Sequence, residues 1–365
     1  MTTATHATAP GIEPTDLSPI LDGRYYWDQC PVTDRRGDVV THRDSEVWIA
    51  LSARVTERAA ARHESARLRL LTRSERRWTD CGNLLPDGFC PGSREWAGVV
   101  LVDGTSDVTL YYTATGTAGE PAPTYTQRIF EASATLVTDE PEPRLTDWID
   151  GGEPIRADGA RYLVADETRG APGSIRAFRD PFYFRDAEDA NEYLLFCASD
   201  ARARTAKNAA IGIAAADPST GRWVLQDPVV LADGVTNEME RPHVVRHRGG
   251  YYLFWSTHGW TFAEDIGAPT GLYGMVSESL RGPYRPLNDT GLVVANPADR
   301  PYQAYSWLVS NDLGVSSFVD MLDGRMGDQP DGPRHLVGTF EGTLAPPFRL
   351  RLRGASAWIA AEHGA

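Results

Sequence analysis

Lysine is almost missing from this chain: Lys207 is the single one among 36 lysines and arginines. That bias reflects base composition of the gene more than chemistry. A surplus of positive charge is missing too, the formal net charge being −14. Phosphate backbones and anionic membranes need a basic surface, so neither is an expected partner, whereas a neutral ligand such as a sugar sets no such condition. No apolar run approaches the roughly 20 residues that cross a bilayer. Met1 to Ala7 lacks both a basic n-region and an apolar h-region, so no signal peptide is expected. The protein is then cytoplasmic or leaves by a signal-independent route, unless a leader has been trimmed. Cysteine is scarce, and Cys30, Cys81, Cys90 and Cys197 form no zinc pattern; histidine spacing adds none, and no metal or cofactor is expected. Cys81 and Cys90 are close enough to pair in an oxidising compartment; free, mostly buried thiols are the expectation for a cytoplasmic protein. Long amphipathic helical segments are scarce. Arg54 to Leu71 is the main exception, and its Arg/Glu richness leaves helix or charged loop open.

What is present reads as β-structure. The 365 residues are 41% hydrophobic, enough for a large core. Residues 1–19 are polar and rich in Pro, Thr and Ala, which predicts a flexible leader ahead of one domain over 20–365. Short apolar runs then alternate with turn clusters: Val47–Leu51, Gly98–Val102, Val108–Tyr112, Tyr193–Phe196, Ile211–Ala214, Gly271–Met275 and Val315–Val319. Many short strands split by Gly, Pro, Asp and Asn argue for a sandwich, barrel or propeller. The Gly- and Asp-rich stretch from Gly324 to Pro333 reads as a surface loop.

The densest chemistry lies in Thr236-Asn237-Glu238-Met239-Glu240-Arg241-Pro242-His243, ahead of the strand-like Tyr251 to Ser256. On an extended segment Glu238 and Glu240 share one face. Two adjacent carboxylates disfavour ionisation and push one pKa upward, as a general acid near neutral pH requires. Arg241 faces away on a regular strand, or joins the site if the chain turns at Pro242. Asp28, Trp96, Asp180, Glu240 and Tyr305 recur at intervals of roughly 60 to 85 residues, about one four-stranded blade each. In a propeller, the first strand of every blade lines the central channel, so motifs at this spacing would converge on one pocket.

Three of these motifs, Trp27-Asp28, Arg179-Asp180-Pro181 and Glu240-Arg241-Pro242, resemble the signature of glycoside hydrolase family 68, the levansucrase-type fructosyltransferases. The resemblance continues through Gly92-Ser93-Arg94-Glu95-Trp96-Ala97-Gly98, Leu110 to Ala114, Gln303-Ala304-Tyr305-Ser306 and Gly342-Thr343-Leu344-Ala345-Pro346. Each motif is weak alone; their joint presence in the family's order is strong. The resemblance implies an all-β, single-domain, five-bladed β-propeller with a central acidic pocket. It implies a retaining fructosyltransferase whose partners are sucrose and fructosyl acceptors. On that basis Asp28 is the nucleophile, Glu240 the acid/base and Asp180 the stabiliser of the oxocarbenium-like transition state. A retaining enzyme places its two working carboxyls about 5 Å apart across the scissile bond. Trp27 and Trp96 match aromatic walls of the fructose site, and Arg179, Glu238, Arg241 and Tyr305 match positions that contact the glucose moiety or hold the acid/base. His258 resembles the histidine of Gram-negative levansucrases and is expected at the pocket rim, facing the acceptor. Ala97 departs from the pattern: several members carry serine there, so one hydrogen bond to Asp28 is expected to be missing.

Three other readings compete. A hydrolytic β-fructofuranosidase would use the same residues with water as acceptor. A biosynthetic fructosyltransferase would pass the sugar to a specialised small molecule. A non-catalytic sugar-binding propeller should have lost a carboxylate, and all three are present. The related invertase family, with Asn-Asp-Pro-Asn near its N-terminus and a cysteine after its glutamate, fits less well. Here Trp27-Asp28-Gln29 and Arg241 stand in those places.

Overall fold

The computed structural model describes residues 6–56, 59–75, 77–166, 176–327 and 335–361. Five sheets follow one another along the chain, each with a core of antiparallel strands taken in chain order. The first blade is built on Arg24–Pro31, Ser45–Arg54, Arg67–Ser74 and Arg77–Asn83. The second runs from Arg94–Asp103 through Asp107–Thr115 and Gln127–Val137 to Arg144–Gly152. Phe178–Arg185 opens the third, Glu240–His247 the fourth and Ala304–Val309 the fifth. This is a five-bladed β-propeller. All seven apolar runs picked out above lie in its strands.

The five opening strands share one irregularity. Each carries a register shift against its neighbour: between Trp27 and Cys30, Trp96 and Gly98, Arg179 and Phe182, Glu240 and His243, and Tyr305 and Leu308. A β-bulge inserts an extra residue, bends the strand and re-aims side chains. Four of the bulges hold a non-glycine residue in the left-handed region, with φ of 51° at Asp28, 57° at Asp180, 48° at Arg241 and 58° at Ser306. Such backbone costs about 1–3 kcal/mol per residue and persists only where its surroundings hold it. In the second blade Gly98 makes the close approach possible: a Cβ there would sit 2.5 Å from the Tyr111 carbonyl oxygen.

The blades are bolted to one another by side chains. Arg35, just after the first opening strand, donates to Asp103 of the second blade at 2.7 Å and to Glu192 of the third at 3.0 Å. The ring closes where the Tyr26 amide donates to the Gly342 carbonyl at 2.7 Å and Tyr25 packs edge-on against Phe340.

Three expectations need correction. The predicted leader is tied down over its described part. Ala7–Thr8 pairs in parallel with the outer strand of the fourth blade, Leu292–Ala295. Ala9 and Ile12 are buried, and the Gln303 side chain accepts from the Ile12 amide while donating to the Pro10 carbonyl. A few apolar residues in a polar stretch suffice when an open sheet edge is available. Among its described residues Arg54 to Leu71 forms no long helix: between two strands these make the 3-10 turn Ala59–Glu64. The stretch from Gly324 starts as a strand, Arg325–Gly327, paired with His335–Val337; the rest of it, 328–333, lies outside the described residues. All four cysteines are free.

Candidate active site

The bulges deliver their side chains to one cavity of about 390 Å³, lined by Trp27, Asp28, Trp96, Arg179, Asp180, Glu238, Glu240, His258 and Tyr305. Nine of the ten residues singled out above are therefore together. The tenth, Arg241, is a correction. It lies beneath the floor, where Nη1 donates to the Ser306 hydroxyl at 2.8 Å and Nη2 to the Gln29 carbonyl at 2.5 Å. From there it holds carboxylates, not sugar: Nη1 is 4.0 Å from Asp28, and its backbone N–H donates to Asp180 at 3.2 Å. The bulge at Arg241 explains this, since left-handed backbone turns the side chain below the face on which Glu240 points up.

Charge is arranged around two poles. On one side Arg179 binds Glu238 through a short contact, reaches Glu240 at 3.1 Å and lies 3.6 Å from Asp180. Tyr305 donates to the other Glu240 oxygen at 2.5 Å. Burial, then the neighbouring Glu240 charge, pushes the Glu238 pKa well up. Glu240 is drawn down against burial, by Arg179 first and also by the Tyr305 hydroxyl. Of the two, Glu238 is thus held towards its protonated form and Glu240 towards its carboxylate. On the other side Asp28 is raised by burial, opposed by Arg241 and a hydrogen bond from Ser306. Asp180 is pushed up to about 7 by burial, opposed by Arg179 and assisted by the charges of Glu240 and Asp28. Its left-handed backbone is held by its own N–H donating to Thr113 Oγ1 at 3.0 Å.

His258 is half-buried and lines the cavity. Its ring is sandwiched between Tyr305, with centroids 3.5 Å apart, and Trp260 at 3.9 Å. Burial pushes its pKa down to about 3, so the ring is neutral at working pH. It is thus a wall of the cavity that props Tyr305 against Glu240.

Sequence reasoning missed Ser306, whose hydroxyl accepts from Arg241 Nη1 at 2.8 Å and helps hold Asp28 down against burial. Tyr305-Ser306 stood in a quoted motif, but only the left-handed φ turns the hydroxyl inward. It also missed Gln127, whose side-chain oxygen accepts from the Phe178 amide and from Arg179 Nη1, both at 3.2 Å. Arg62, His63, Tyr125, Trp260 and Asp320 line the cavity as well. Among these, Arg62 and His63 were hidden in the stretch left open as helix or loop.

Three carboxylates on one cavity lined by tryptophans, with Glu238 held towards its protonated form beside them, suit the processing of a glycoside in a five-bladed propeller. The chain matches the levansucrase/invertase family model over residues 1–209 and 200–363, and it belongs to that family, glycoside hydrolase family 68. It is 33% identical to a levansucrase of Zymomonas mobilis over 98% of this chain and 87% of that protein. Among solved structures, an inulosucrase from Halalkalicoccus jeotgali bound to kestose superposes with a TM-score of 0.85 at 34% identity, covering 98% of this chain and 92% of that one. A levansucrase from Gluconacetobacter diazotrophicus gives 0.80 at 25% identity, over 98% and 85%.

Proposed function

We propose that the protein is a retaining fructosyltransferase that takes sucrose as donor and passes the fructosyl group to a sugar acceptor or water. The observation that carries this is the convergence of Asp28, Asp180 and Glu240 from three different blades onto one cavity. Its size of about 390 Å³ falls within the range of small-ligand pockets.

The fructosyl ring lies between Trp27 and Trp96, its apolar face against the rings. The proton starts on Glu238, passes to Glu240 and goes from Glu240 to the glucosyl oxygen as the glycosidic bond breaks. Asp28 attacks the anomeric carbon, forming a fructosyl ester and releasing glucose. Asp180 supports the developing positive charge and holds ring hydroxyls. In the second step Glu240 takes a proton from the incoming hydroxyl, which displaces Asp28. Arg241 and Ser306 stabilise Asp28 as a carboxylate, which makes it a competent leaving group in that step.

A time course with sucrose tests the reading. Glucose should appear ahead of fructose, the difference being fructosyl groups in transfer products. Equal release of both at high sucrose favours the hydrolytic reading, and no release of either between about pH 5 and about pH 8 rejects sucrose as donor.

A further inference from the structure

The cavity holds a second pair of charged groups that the mechanism does not use. Asp320 follows the strand Gly314–Val319 of the fifth blade and is 4% exposed, yet it borders the cavity. Among the described residues, no group donates a hydrogen bond to its carboxylate. Arg62 borders the same cavity from the turn Ala59–Glu64 of the first blade. Its guanidinium lies 3.8 Å over the Phe340 ring and donates through Nη1 to the Ala59 carbonyl at 3.2 Å. Its Nε is buried without a partner. The two residues feel each other's charge, and Arg62 feels that of Asp28 as well. No contact within 4.0 Å joins Arg62 to a carboxylate among the described residues, however. A donor and an acceptor thus face the same space across a gap, both short of partners.

A buried carboxylate without a donor is costly, and such a group usually meets its partner in a ligand. A cation is a poor candidate, because Arg62 already places positive charge there. A carboxylate or phosphate would meet Asp320 and Asp28. A hydroxyl fits both sides, since it accepts from arginine and donates to aspartate. The pair stands on the Asp28 side of the cavity, whereas the leaving group and acceptor meet Glu240, Tyr305 and His258. We propose that Arg62 and Asp320 clamp one hydroxyl of the fructosyl ring that is transferred, and so help select the donor sugar. This rests on the fructosyl reading given above.

The test pairs variants with sucrose analogues that each lack one fructosyl hydroxyl. Asp320→Ala, and the volume-conserving Asp320→Asn where alanine does not fold, should lower kcat/KM for sucrose by about 10- to 100-fold, as expected for a hydrogen bond to a charged group. The decisive readout is the cross-comparison. One analogue should lose activity with the wild type but lose nothing further with the Asp320 variant, and the same analogue should single itself out with Arg62→Gln. If every missing hydroxyl multiplies the loss independently in wild type and variants, the clamp is wrong and the residues are structural. Wild-type protein that releases no glucose from sucrose overturns the donor reading itself, and the clamp with it, which keeps the two failures distinct.

Discussion

At the scale of single residues, His258 gains a contact that its sequence-based expectation did not include. Following a strand by one position, it reads as a rim residue free to meet the acceptor. The stack on Tyr305 and Trp260 makes it a support for the Tyr305 hydroxyl that holds Glu240. His258→Ala should therefore lower initial glucose release by about fivefold, the worth of an aromatic pair of roughly 1 kcal/mol, besides shifting the transfer-to-hydrolysis ratio. His258→Phe keeps the stack and should restore glucose release while leaving the ratio altered. Rates from rapid mixing with sucrose, read beside product ratios, check both; a normal release rate in the alanine variant would leave His258 with a rim role alone. Glu240→Gln should lower turnover with sucrose by about 10² to 10⁴, the usual share of a general acid. A variant retaining more than about a tenth of wild-type rate would remove Glu240 from that role.

At the scale of elements, the opening strand and its bulge are the working unit. His243 shows how a bulge is held. Its Nδ1–H donates to the Arg241 carbonyl at 2.9 Å, while Nε2 accepts from the Val309 amide of the fifth blade at 2.9 Å. Burial, chiefly, pushes its pKa down to about 3. A histidine kept neutral in the fold but free to protonate when unfolded contributes stability above its unfolded pKa of about 6.5, lost progressively as pH falls towards 3. His243→Gln should therefore destabilise at about pH 7.5 by roughly 1–3 kcal/mol, the worth of the lost hydrogen bonds. At about pH 5 that deficit should shrink by about 2 kcal/mol, since only the wild type is weakened there. Urea unfolding of both proteins at the two pH values checks this, and a deficit independent of pH contradicts it. The strands themselves were legible in the sequence, because Asp28, Trp96, Asp180, Glu240 and Tyr305 all fall on opening strands, as their spacing implied. The bulges were not. Left-handed backbone at Asp28, Asp180, Arg241 and Ser306 carries no glycine to announce it, so the inward turn of Ser306 and the downward turn of Arg241 stayed hidden. Arg62 and Asp320 were hidden for another reason: they reach the cavity from outside the opening strands, where no spacing rule points.

At the scale of the molecule, the chain start acts as a clasp. It runs from the outer edge of the fourth blade past Gln303 and Arg300 to Ser18, whose carbonyl accepts from Thr343 at 2.7 Å. The segment thus spans two blades and reaches the seam at which the ring closes. Ile12→Ala should cost about 2–5 kcal/mol, as for other buried aliphatic truncations, with kcat on sucrose unchanged. Thermal unfolding beside steady-state kinetics checks this; an equal fall in kcat would mean that the clasp reaches the cavity. The ring brings five bulges to one axis, where we propose that Asp28 carries the fructosyl group between donor and acceptor. Acid-quenching the wild-type protein during turnover of sucrose, then measuring the masses of its proteolytic peptides, tests that claim most directly. The peptide holding Asp28 should gain the mass of one fructosyl group, and Asp28→Ala should show neither adduct nor turnover. Turnover with the adduct on Asp180 or Glu240, or an active Asp28→Ala protein, would contradict the account.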